Sequence, residues 1–250
     1  MPETLSAALA TPGLGWLVLA AFVAGTVRGF SGFGTALVFM PVAAQVLPPL
    51  WAIITVALMD VFGPVPNIPA ALRKSDHGDL ARLLGTTLLA LPVGLWVLTM
   101  VAPDLFRTGV SLLSLGMLAS LILGLRYHGE LGPKMVMGTG GAAGFLGGVV
   151  GLPGPPVILL YMASPNPVQV VRASIMAYLF FYDIVLMSVL AVQGDLMPVP
   201  AVLGLSMALP NLLGNLLGAA IFRPELDRIY RTVAYSIIAI SALSGLPIWG

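Results

Sequence analysis

One degenerate motif is written twice in this chain, and no other feature constrains its fold as strongly. Gly25, Gly29, Gly32 and Pro48 recur as Gly144, Gly148, Gly151 and Pro167, all at one offset of 119 residues. The first copy reads GTVRGFSGFGTALVFMPVAAQVLPP and the second GFLGGVVGLPGPPVILLYMASPNPV. Both break otherwise apolar sequence with glycine and proline. A regular helix cannot run through them undisturbed, because proline lacks an N–H and glycine admits positive φ. Matched interruptions in the two halves of a membrane protein point to a transport site.

The setting is a membrane. Hydrophobic residues make up 58% and charged residues 8% of the chain, whereas a soluble domain carries about 25% charged residues. The chain reads as one transmembrane domain over residues 1–250, with one internal repeat at about 10–127 and the other at about 128–250. A net charge of +1 gives no reason to expect a nucleic-acid partner. Without cysteine, disulfides, thiolate metal sites and cysteine nucleophiles are excluded. Met1-Pro2-Glu3 offers no basic n-region, so the first apolar run reads as a retained segment and not as a cleavable signal peptide.

About 20 apolar residues span the hydrocarbon layer. Six stretches are long enough: 51–71, 83–101, 105–125, 169–192, 197–222 and 229–248. The two Gly/Pro stretches, 14–47 and 135–165, are each either a broken spanning helix or a re-entrant hairpin. Basic residues distinguish the two. Eight plain crossings would put Arg73, Lys74, Arg82, Arg126 and Lys134 on one side, and Arg107, Arg172, Arg223, Arg228 and Arg231 on the other. If both Gly/Pro stretches turn back, only Arg107 is left on the far side, which is the bias of the positive-inside rule. The expected fold is therefore an all-α integral membrane protein of two inverted repeats. Each repeat holds a re-entrant hairpin and three transmembrane helices, and both termini lie outside the cytoplasm. Eight plain transmembrane helices are the alternative. Further correspondences extend the repeat over most of the chain: Gly78-Asp79-Leu80 with Gly194-Asp195-Leu196, and Leu91-Pro92 with Leu209-Pro210.

The hairpin tips are the first candidates for chemistry. Freed backbone polar groups cannot face lipid, so the tips should face the protein interior. The second arm of each hairpin would then point its N-terminal, positive end at the centre, which suits an anion. The residues singled out are Gly29, Ser31, Gly32, Gly34 and Thr35 in the first copy, and Gly148, Gly151, Gly154 and Pro155 in the second. Gly25-x-x-x-Gly29 and Gly144-x-x-x-Gly148 also fit close helix packing. Arg28 is the one cation well inside an apolar segment; its fork suits an oxyanion, and the other reading is a structural pair with Asp60. Gly147 stands at the matching place in the second copy. Asp60 and Asp183 are the mid-membrane acids. Burial favours the neutral form of a carboxyl, so both are candidates for coupling to protons, or to Na+. Asn211 and Asn215 share a helix face and could line a path or bond between helices. His77 and His128 sit in polar loops. Trp16, Trp51 and Trp96 suit membrane interfaces. The sequence contains no HExxH, GxSxG or Walker A motif, and no histidine in an apolar segment to activate a hydroxyl, so no enzyme activity, cofactor or metal is expected.

These residues resemble the sulfite exporter TauE/SafE family, also known as toluene-sulfonate uptake permeases. The likeness rests on Gly29-Phe-Ser-Gly32-Phe-Gly34 with Pro41 and Pro48-Pro49, and more closely on Gly148-Val-Val-Gly151-Leu-Pro-Gly154-Pro155-Pro156-Val-Ile-Leu-Leu-Tyr161 followed by Val171-Arg172-Ala173-Ser174. Thr35, Ala36 and Pro153 depart from the family pattern at the tips. The resemblance implies an inner-membrane permease for small anions, sulfite or sulfonates such as sulfoacetate-like molecules, with Arg172 among its functional residues. The expectation is a proton-coupled carrier with alternating access, one repeat rocking against the other. An anion channel and a non-transporting assembly subunit are the rivals. Its partners would be the anion, protons or Na+, and the bilayer, with a homodimer as one option for its assembly.

Overall fold

The computed structural model describes residues 2–124, 132–162, 164 and 166–246. Arg126 and His128 lie outside the described residues. Among those described there are helices and turns but no strand. The α-helices are α1 (Pro2–Leu9), α2 (Leu14–Ser31), α3 (Thr35–Val46), α4 (Pro49–Asp60), α5 (Ile68–Lys74), α6 (His77–Leu98), α7 (Pro103–Ile122), α8 (Pro133–Val150), α9 (Gly154–Met162), α10 (Val168–Gln193), α11 (Pro198–Ile221) and α12 (Asp227–Ser244). Of these, α2, α6, α7, α10 and α11 are long and apolar enough to cross a membrane, and the chain is a multi-pass membrane protein. Large apolar side chains such as Trp16, Leu89, Trp96, Leu105 and Val192 are exposed on the outside, as expected of a surface whose solvent is lipid.

Both Gly/Pro stretches turn back on themselves. Trp51 Nε1 on α4 lies 3.2 Å from Met197 Sδ just before α11. Further along, Thr55 Oγ1 donates to the Pro200 carbonyl at 3.4 Å, and Gly204 packs on Thr55 and Leu58. So α4 and α11 run parallel. The pair α2 and α11 does too, since Gly25 meets Asn211, and Gly29 meets Asn215 and Gly218. With α2 and α4 pointing the same way, α3 between them runs back. In the second half Gly140, Gly144 and Gly148 meet Leu83, Thr87 and Gly94 in that order, so α8 runs parallel to α6. Thr87 bonds both the Gly140 carbonyl and Tyr178, and Gly147 abuts Tyr182. Hence α10 follows α8 in direction, and α9 runs back. Eight plain crossings would make α4 antiparallel to α11, which these contacts exclude.

The turns follow from local chemistry. Gly32 (φ 84) closes α2, and Gly34 (φ 103) precedes α3. Both are left-handed, a region glycine enters without a Cβ clash. Gly151 (φ 69) closes α8 in the same way. Pro155 and Pro156 fall in the first turn of α9, where their missing N–H groups would have had no helical partner anyway.

Two glycine seams hold the halves together. A Cβ on Gly25, Gly29, Gly214 or Gly218 would strike the backbone across the α2–α11 contact, and one on Gly94, Gly140, Gly144 or Gly148 would strike across α6–α8. Each hairpin's first arm is thus seated on a helix of the opposite half. At the start of α4, Pro48, Pro49 and Trp51 share a cavity of about 290 Å³ with the ends of α6 and α10. So α6 and α10 run opposite to α4, and α8 runs opposite to α2.

One expected crossing is not a plain helix. The stretch 51–71 ends its α-helix at Asp60, turns through Gly63-Pro64 and a 3-10 segment, Val65–Asn67, and only then resumes as α5. Proline here removes the donors that would have continued the helix. The corresponding α10 is an unbroken 26 residues.

Candidate functional site

The two hairpin tips and the two mid-membrane acids meet at one cavity of about 50 Å³. That volume holds about four water-sized probes, or an anion of a few heavy atoms. The first tip supplies Phe33, Gly34, Thr35 and Ala36, and the second supplies Gly151 to Pro155. Asp60 closes it from α4, Arg28 from α2, and Tyr182 and Asp183 from α10.

The two helix starts facing the cavity are unequal. At α3 the opening residues Thr35, Ala36 and Leu37 all carry N–H groups, and no side chain caps them. They form a positive helix end with donors to offer. At α9, Pro155 and Pro156 remove two of the donors such an end would present. The α3 end therefore offers the cavity more N–H donors than the α9 end. Thr35 Oγ1 and the Tyr182 hydroxyl are buried with no hydrogen-bond partner, and both residues line this cavity. Buried polar atoms nearly always find a partner, and two orphans on one small cavity suit a ligand or water.

Arg28 Nη1 pairs with Asp60 Oδ1, with the side chains 7% and 15% exposed. The pair sits between the end of α4 and the last turn of α2. Asp183 is also buried, at 8% exposure. Among the described residues it has neither an ion pair nor a hydrogen bond, though it shares the cavity with Asp60 and Arg28. At the place equivalent to Arg28, the missing side chain of Gly147 leaves space that the Tyr182 hydroxyl occupies.

A second, larger cavity of about 350 Å³ lies beside the first. Ser31, Asn166, Arg172, Tyr230 and Arg231 line it. Phe33 and Ile158 line both cavities and form the wall between them. The Arg172 guanidinium rests on the bend at Gly32, where a Cβ would sit 2.5 Å from Nη2. Arg172 has no ion pair among the described residues.

Of the residues singled out from sequence, Arg28, Gly34, Thr35, Asp60, Gly151, Gly154, Pro155 and Asp183 come together at the central cavity. Ser31 and Arg172 line the neighbouring one, and Gly32 joins them as the bend under Arg172. The Ser31 hydroxyl also bonds the Val27 carbonyl and the Phe33 amide, fastening the tip. Gly29 and Gly148 lie in the packing seams. Asn211 is buried in the α2–α11 seam, where its Nδ2 donates to the Ala21 carbonyl at 3.3 Å. His77 lies at the exposed start of α6, its Nε2 2.7 Å from the Leu72 carbonyl. Sequence reasoning passed over Phe33, Ile158 and Tyr182. Tyr182 carried a signal, as a polar aromatic beside an intramembrane acid; the two apolar wall residues carried none.

A family model described as Sulfite exporter TauE/SafE matches residues 17–245. No curated protein and no solved structure matches the chain.

Proposed function

The chain belongs to the sulfite exporter TauE/SafE family, and from that premise we propose a secondary carrier of small sulfur oxyanions or organosulfonates, coupled to protons, with the central cavity as its binding site. The family places it among membrane transporters of sulfur compounds. The observation that carries the finer reading is the convergence of both hairpin tips on one small cavity holding Arg28 and two unpartnered buried hydroxyls, Thr35 Oγ1 and the Tyr182 hydroxyl. On this reading the N–H groups opening α3 and the Thr35 hydroxyl bind the anion. Arg28 adds attraction, and Arg172 meets the anion first in the larger cavity.

The halves act as inverted repeats, at about 10–127 and about 128–250; the opposed directions of α2 and α8 support this. The seams tie each first arm to the other half, so the moving parts in alternating access are the second arms α3 and α9 with their wall residues. A cavity of about 50 Å³, walled off by Phe33 and Ile158, favours a carrier over an open filter. The larger cavity lies by Phe222 at the end of α11, Arg172 at the start of α10 and Arg231 in α12, on the side where most basic residues lie. By the positive-inside rule that side is cytoplasmic, which puts both termini outside the cytoplasm of an inner-membrane protein.

The test is thermal stability of the purified protein against sulfite, sulfate, thiosulfate, sulfoacetate, taurine, an aryl sulfonate, acetate and chloride. A ligand at about 100 times its Kd adds about 2.7 kcal/mol. A sulfur oxyanion should raise the midpoint selectively, and Thr35→Val should abolish the rise without lowering the ligand-free midpoint. Equal responses to chloride and sulfite would sink the substrate assignment.

A further inference from the structure

The charges at the central cavity do not balance. Arg28 supplies one positive charge, already paired with Asp60. Asp183, whenever it is ionised, adds a negative charge with no ion pair and no hydrogen bond among the described residues. An anion entering this cavity would meet a bare carboxylate in a low-dielectric interior, where like charges repel strongly. Resting on the carrier reading above, we propose that the cavity accepts its anion only together with a positive charge on Asp183, a proton or a small monovalent cation, so that the two bind as a pair.

The two acids therefore differ in role. Neutralising Asp60 would strand the buried Arg28, an arrangement that is strongly unfavourable. Neutralising Asp183 strands nothing. Other groups around Asp183 do not substitute for the missing charge. Asp60 faces it from α4 and Arg28 from α2. Tyr178 and Tyr182 flank it on its own helix, and α9 brings only the uncharged Gly154, Pro155 and Ile158 to the cavity. On α5 and α6 the charged residues are at the helix ends: Arg73 and Lys74 in the last turn of α5, and Asp79 and Arg82 near the start of α6. With one cation and one monoanion bound, the cavity carries the same net charge as when empty. Loaded and empty forms would then cross between their two faces without moving net charge.

The experiment measures binding of methanesulfonate, which stays a monoanion across the range used, to the purified full chain. Affinity is followed over about three pH units at fixed Na+, and then over a Na+ series at fixed pH. In the wild-type protein the apparent Kd should rise about tenfold per pH unit on the alkaline side, the slope of one linked proton, with about one proton taken up per anion. A Na+ response with no pH response would assign the charge to a metal cation. Asp183→Asn should bind with the affinity of the low-pH wild type and respond to neither. A retained slope in Asp183→Asn overturns the proposal. So does wild-type binding that is flat in both pH and Na+ and takes up no proton, a result that needs no variant to fold. Flat binding leaves the anion carrier standing but takes away its coupling to protons. If methanesulfonate, sulfite and thiosulfate all fail to bind the folded wild type at every pH, the carrier reading falls and this proposal falls with it.

Discussion

Arg28 stood out in the sequence as the one cation deep in an apolar segment, with two readings: a ligand for substrate or a partner for Asp60. The structure shows the pair with Asp60, and the paired guanidinium also lines the cavity. Removing one member of a buried pair costs about 3–5 kcal/mol, because the other is left uncompensated. Arg28→Ala should therefore lower unfolding stability by about that amount, while Arg28→Ala with Asp60→Asn should recover most of it; a double-mutant cycle in denaturant reads this directly. What the sequence hid was the inequality of Asp60 and Asp183. The repeat aligns them, but Gly63 and Pro64 follow only the first. Asp60 thus ends a helix beside Arg28, while α10 carries Asp183 onward unbroken. The Arg28–Gly147 mismatch likewise became meaningful only in three dimensions, where Tyr182 reaches the place the second copy leaves open.

At the scale of elements, the glycine spacing was legible as helix packing, and the partners were not. An offset between two copies says nothing about which helix of one half lies on which helix of the other. The close approaches make the seams testable within a single helix. Gly144 faces the Thr87 backbone at 2.6 Å for an added Cβ, while Gly141 has nothing within 4 Å. Gly144→Ala should lower the thermal midpoint by the equivalent of about 1–3 kcal/mol of overpacking. Gly141→Ala should be neutral or stabilising by up to about 1 kcal/mol from helix propensity. The wall residues carry a second expectation. Phe33→Ala should join the two cavities and raise passive anion leak in proteoliposomes several-fold, with the thermal midpoint nearly unchanged because Phe33 is only partly buried.

Over the whole molecule, the basic residues already favoured hairpins over eight plain crossings. Arg107 is the outlier of the hairpin arrangement, and the parallel course of α4 and α11 bears the hairpins out. The break after Asp60 was legible in Gly63, Pro64 and Pro66 but was passed over, because Val61 to Ile68 carries no charge and was counted into one apolar span. The chain lacks cysteine, so single cysteines can report sidedness. An impermeant maleimide should label Lys74→Cys and Glu225→Cys from one face of the membrane, and Thr99→Cys and Asp195→Cys from the other. Eight plain crossings would separate Thr99 from Asp195.

The seams also impose an order on synthesis. The Ala21 carbonyl waits for Asn211, 190 residues further along the chain. At about 5–20 residues per second, α2 spends on the order of 10–40 seconds in the bilayer before its partner leaves the ribosome. Through that interval its glycine face has only lipid, or a holding protein of the insertion machinery, to lie against. The first hairpin is thus inserted early and completed among the last parts of the molecule, which makes its seam the place where truncated or stalled chains fail.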